Sequence, residues 1–79
     1  MNRHDVLKGI QQVATTHLQW TGELKEEQIL VEVLELDSIR LLTLVVEVEN
    51  HFALSLEDGD EAGLERVGDL VDLLVGRGA

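Results

Sequence analysis

The chain contains no cysteine and no proline, and its only aromatic residues are Trp20 and Phe52. Without thiols there can be no disulfide and no thiolate–metal site, and any thioester chemistry needs a borrowed sulfur. With two aromatics the core must be aliphatic, and the supply of Leu, Val and Ile favours a compact helical domain stabilised by burial of branched side chains. Basic residues are also scarce: six Lys and Arg stand against sixteen Asp and Glu, a net charge of −10. Such a field repels nucleic acid and anionic membranes and steers the chain toward basic protein surfaces, although any single acid can serve solubility alone. No apolar run approaches membrane-spanning length, and Met1-Asn2-Arg3-His4-Asp5 lacks the apolar centre of a signal peptide. The expectation is a cytoplasmic monomer that neither binds nucleic acid nor inserts into a membrane. With 79 residues there is material for one core, so residues 1–79 read as a single domain, and Met1 and the end at Ala79 suggest a discrete protein.

What is present is helical periodicity. Val6, Leu7, Ile10, Val13, Ala14, His17 and Leu18 recur at helical spacing and predict a first helix over residues 3–18. Gly9 inside it costs up to about 1 kcal/mol relative to alanine, a tolerable penalty. Thr21-Gly22 breaks the pattern. From Gln19 to Leu36 the signal is mixed. Ile29 to Leu36 alternates weakly, but a lone strand has no partner in so short a chain. A long connection that packs its own apolar residues and returns the chain toward the end of the first helix is expected.

The best-defined element begins near Ser38 and runs to about Phe52. Leu41, Leu44, Val45, Val48 and Phe52 form one apolar face, while Ile39, Leu42 and Val46 form a second stripe. A helix apolar around much of its circumference is buried or has a partner. So small a domain cannot bury every side, so the second stripe predicts an exposed docking surface. Glu57 to Gly63 is loop or at most one helical turn, and Val67, Leu70, Val71, Leu74 and Val75 define a last helix ended by Gly76 and Gly78.

Leu36-Asp37-Ser38-Ile39 opens the central helix. An acid followed by a hydroxyl at such a boundary has two readings. Either residue can cap the free N–H groups of the first turn, or the partial positive charge there can favour a phosphate esterified to the serine. With Leu34-Glu35-Leu36-Asp37-Ser38-Ile39, the helical positions to Phe52 and Val67-Gly68-Asp69-Leu70-Val71 opening the last helix, nearly the whole chain resembles the acyl carrier protein family, including its peptidyl and aryl carriers. The resemblance implies a small all-α four-helix bundle, three main helices plus a short one before the last, with a long first loop. It also implies a 4′-phosphopantetheine arm on Ser38, installed from coenzyme A by a phosphopantetheinyl transferase in a magnesium-dependent reaction. Asp37 then both caps the helix and orients the serine. The implied protein is not an enzyme but a carrier, serving acyl- or aminoacyl-loading and processing enzymes of a fatty-acid pathway or, more in keeping with its departures, a specialised polyketide-type one. The alternatives are an aminoacyl or peptidyl carrier of a nonribosomal peptide pathway, and an unmodified helical interaction module.

Those departures are specific. Glu35 stands where the family often has glycine. Early in the central helix, where fatty-acid carriers often place acids, this chain has Arg40 and Thr43, with Glu47 and Glu49 further on. Ile39, Leu42 and Val46 are expected to dominate docking, with Arg40, Thr43 and Glu47 adjusting rate and selectivity and Arg40 placing a positive charge beside the stripe. Leu41, where smaller residues are common, reads either as narrowing an acyl pocket or as an ordinary core leucine. Arg66 replaces the usual capping hydroxyl before Val67, and Asp69 partly compensates through the helix dipole.

Other candidates are weaker. His4, His17 and His51 have no metal-site spacing. His17 reads as a helix-end residue and His51 as an exposed one. Residues 58–69 imitate a calcium loop only in part, with Ala62, Glu65 and Asp69 at positions that require other types, so no metal site is expected. Trp20 is expected to pack over the end of the first helix.

Overall fold

A computed structural model describes residues 1–79. The chain is all-helical and contains no strand: α1 (Arg3–His17), a single turn α2 (Leu30–Val33), α3 (Ser38–Phe52), a 3-10 turn (Asp60–Gly63) and α4 (Val67–Gly76). Helix α1 packs against both α3 and α4. The predicted bundle of three main helices with a short element before the last is thus observed. The long connection also holds a helical turn of its own, which the mixed pattern there did not reveal.

Fourteen aliphatic residues form one core. Val6, Ile10, Val13, Ala14 and Leu18 come from α1 and its end, Leu44 and Val48 from α3, and Val67, Leu70, Val71 and Leu74 from α4; the connection adds Leu24, Leu30 and Leu34. The connection therefore closes the core with its own leucines, as its composition predicted. Of the expected face on α1, Leu7 is only half-buried and His17 is exposed. Gly9 is not merely tolerated. It lies so close to Phe52 of α3 that an added Cβ would stand 2.5 Å from Phe52 Cζ, so the missing side chain sets how near the two helices pack.

The helix ends are held by named groups. Asn2 caps α1, its side chain accepting from the Asp5 N–H at 2.8 Å. Beyond α1, the N–H groups of Leu18 and Trp20 both donate to Ala14 O, at 3.0 and 3.1 Å, and half-buried Trp20 packs against the core at this end. Helix α4 lacks an N-cap acceptor because an arginine side chain cannot accept. Carbonyls of the long connection replace it: Val67 N–H donates to Gln28 O and Gly68 N–H to Glu26 O, both at 2.9 Å. Gly68 permits this approach, since a Cβ there would meet Glu26 O at 3.2 Å. Ile29 and Arg66 form an isolated antiparallel bridge, the one β-like pairing in the segment. Asp69 accepts from the N–H groups of Arg66 at 2.8 Å and Glu65 at 3.0 Å, and these two bonds lower its pKa. Its compensation for the missing hydroxyl cap is a direct hydrogen bond as well as a dipole effect. Arg3, at the start of α1, pairs with Glu26 of the connection and Asp72 of α4.

Candidate functional site

Asp37 and Ser38 occupy the boundary at which α3 begins. Asp37 is the N-cap: its backbone is extended and its Oδ1 accepts from the Arg40 N–H at 2.8 Å. Of the two capping readings, then, Asp37 takes the role. Ser38, the first helical residue, is exposed and free of it. The chain reaches this point through Glu35, whose φ of 51° is left-handed. A residue with a side chain is strained there, and this is the position at which the resembled family often has glycine.

From Ser38 a groove of about 540 Å³ runs along α3. One wall is Leu41, Leu42, Val45 and Val46; the other is Leu56, Glu57, Asp58 and Glu61. Leu41, open to two readings in the sequence, is half-buried and lines this groove. The second wall lies alongside the helix because Glu49 Oε2 accepts from the Leu56 N–H at 2.8 Å. Sequence reasoning missed this wall. Its only signal was Glu49 one polar position into an apolar face, which does not disclose the segment that the carboxylate holds.

The second stripe of α3 is open to solvent as expected: Ile39 is 76% exposed, Leu42 64% and Val46 41%. The polar residues of the helix are largely engaged within the chain. Thr43 Oγ1 donates to Ile39 O at 3.0 Å, and Glu47 lies 3.4 Å from His17 Nε2 on α1. Arg40 departs from expectation in its direction. Instead of extending beside the stripe, its half-buried side chain turns to main-chain oxygens, donating to Leu34 O from Nη2 at 2.9 Å and Nε at 3.3 Å, and to Leu18 O at 3.2 Å.

The other arginines are used similarly. Arg66 donates to Glu27 O at 2.7 Å, and Arg77 pairs with Asp60 at 2.9 Å. Asp60 also accepts from the Glu57 N–H at 2.7 Å. That bond chiefly, with the Arg77 guanidinium, holds its carboxyl below the ordinary value. Asp60 and Asp69, two of the five acids in the partial calcium loop, are therefore occupied by an arginine and by backbone donors. His51 is exposed and meets Phe52 edge-on, with ring centroids 4.8 Å apart.

Fold and site define a small acidic helical bundle that presents an exposed serine at a helix start, between an apolar stripe and a groove. No protein-family profile matches the chain. It is 30% identical over 77 residues to the acyl carrier protein of Myxococcus xanthus, spanning 95% of this chain and 96% of that protein. The acyl carrier protein of Micrococcus luteus is likewise 30% identical over 77 residues, 95% of this chain and 94% of that one. That of Tropheryma whipplei is 29% identical over 76 residues, 95% and 93% of the two. The chain belongs to the acyl carrier protein family.

Proposed function

We propose that the protein carries acyl groups as thioesters on a 4′-phosphopantetheine arm attached to Ser38. The observation that carries this reading is the exposed Ser38 at the first position of α3, relieved of capping by Asp37 and opening on a groove with one apolar and one largely acidic wall. The residues present fit such an arm. A phosphodiester on Ser38 Oγ lies at the positive end of the α3 dipole, favourable by about 0.3–1 kcal/mol at an exposed site. When attached, the arm supplies the terminal thiol that a cysteine-free chain lacks. A tether also raises the effective concentration of cargo at a docked enzyme without adding a contact.

The chain's own part in the modification is to present one hydroxyl. Ser38 Oγ bonds to the phosphorus that bears pantetheine and the pyrophosphate P–O bond of coenzyme A breaks. Adenosine 3′,5′-bisphosphate leaves, and the serine proton passes to a base of the transferase. Partners of the carrier, the transferase and the acyl-loading and processing enzymes, dock on Ile39, Leu42 and Val46, with Thr43 and Glu47 flanking. Glu57, Asp58 and Glu61 across the groove add negative charge that selects them, beside Glu47, which faces His17, and Glu49, which holds Leu56. The acids early in the helix that suit fatty-acid enzymes are replaced by Arg40 and Thr43, which favours a specialised, polyketide-type pathway.

Thiol titration tests the carrier reading cleanly. After incubation with coenzyme A, magnesium and a permissive transferase, repurified protein is expected to titrate one thiol per chain, against none before. A chain that stays thiol-free removes the proposal.

A further inference from the structure

We infer that Arg40 is a positioning residue for Ser38, holding the first turn of α3 in register with the ends of two other helices. This rests on the reading of Ser38 as the modified residue. The first turn of α3 has no core anchor of its own: Asp37, Ser38 and Ile39 are exposed, Arg40 and Leu41 half-buried, and the first buried residue of the helix is Leu44. Something other than burial must fix the hydroxyl.

Arg40 is fastened at both of its ends. Its N–H is bound by Asp37 Oδ1 at 2.8 Å. Its guanidinium grips the carbonyls of Leu34 and Leu18, the C-cap residues of α2 and α1. Carbonyls at helix C-termini lack intrahelical partners and carry partial negative charge, so a cation satisfies both deficits. The planar fork closes on Leu34 O through both Nε and Nη2, and Nη2 also reaches Leu18 O. An ammonium can donate to both carbonyls but lacks the rigid paired donation that fixes the plane of the group. Ser38 lies between the two fastenings, Asp37 and Arg40. The charge of Arg40 is thereby turned to the interior of the fold, and a partner surface does not need it.

Steady-state modification kinetics by the transferase, with protein concentration varied, test this on the full chain. Arg40→Met, Arg40→Lys and the docking control Leu42→Ala are compared with wild type. Amide exchange measured by NMR on the same proteins reports order without any turnover. Arg40→Met is expected to lower kcat about tenfold, as expected for a hydroxyl held less accurately, with KM and its salt dependence unchanged. The amides of residues 40 and 41, both held by Asp37, should exchange faster while those of Leu44 and Val48 do not. Arg40→Lys should keep most of the kcat deficit, and it decides the matter if Arg40→Met fails to fold. Leu42→Ala should instead raise KM. A defect in Arg40→Met confined to KM and sensitive to salt would make Arg40 a docking charge and overturn the inference. So would wild-type kinetics in either Arg40 variant. Failure of wild type itself to accept the arm is a different outcome, which overturns the reading of Ser38 and this role with it.

Discussion

Replacing Gly9 with alanine should change sign according to what stands at residue 52. In an ordinary helix interior the exchange stabilises by about 1 kcal/mol, because alanine loses less backbone entropy. Here the new Cβ would stand 2.5 Å from Phe52 Cζ and 3.0 Å from both Phe52 Cε1 and His51 Nε2. At such separations the ring must tilt or α1 and α3 must part, and overpacking of this kind costs about 1–3 kcal/mol. The repulsion wins, so Gly9→Ala should destabilise by about 1 kcal/mol and lower Tm by roughly 4–8 °C for a domain of this size. Phe52→Leu removes the far end of the ring. In that background the contacts with the ring are gone, and the one remaining is the tip of the exposed His51 side chain, which can turn aside into solvent. There Gly9→Ala should stabilise by about 1 kcal/mol. The coupling from the four proteins should then be about 2 kcal/mol, within the range for residues in contact. Urea unfolding followed by far-UV circular dichroism and by Trp20 fluorescence measures all four and checks two-state behaviour. If Gly9→Ala stabilises both backgrounds equally, the close approach of α1 to Phe52 does not determine the packing and the reasoning fails.

Three further outcomes follow from strain and charge. Glu35 and Ala53 sit at φ values of 51° and 54°, where a side chain costs about 1–2 kcal/mol. Glycine gives back roughly 0.4–1 kcal/mol in the unfolded chain, so Glu35→Gly and Ala53→Gly should each stabilise by up to about 1 kcal/mol in chemical denaturation. A loss in both would refute the strain. With a net charge of −10 and its arginines engaged within the fold, the protein should gain Tm as ionic strength rises from about 0.01 M to 0.5 M; a flat or falling response means that the acids are already compensated locally. The folded pKa values of Asp60 and Asp69 lie below the ordinary carboxylate value. Their contribution is therefore full above about pH 4 and is lost as pH falls through the lowered folded values. The Tm gap between wild type and Asp69→Ala should be constant from neutral pH to about 4 and shrink below it. A gap that widens in acid would contradict the hydrogen bonds from Arg66 and Glu65.

The three main helices were legible because each repeats apolar residues at helical spacing over ten residues or more. Asp37-Ser38 stood out as a helix start, and the surplus stripe of Ile39, Leu42 and Val46 stood out as more apolar surface than one face can bury. Helix α2 was not legible, since four residues hold little more than one turn and the apolar run around them has no clear period. Gly9 showed only as a propensity penalty, because its reason lies on another helix in Phe52. The direction of Arg40 was invisible for a related cause. Its partners are main-chain carbonyls, which every residue has, so no residue type marks them. The wall of the groove depends on the same kind of contact, a Glu49 carboxylate holding a backbone N–H, and on a chain path that composition does not fix.

The central claim is that Ser38 is the point of attachment. Intact mass spectrometry of wild type and Ser38→Ala, each incubated with coenzyme A, magnesium and a permissive transferase, tests it most directly. Wild type is expected to gain one phosphopantetheinyl unit and Ser38→Ala none. No gain in wild type, or a gain that persists in Ser38→Ala, would contradict the account.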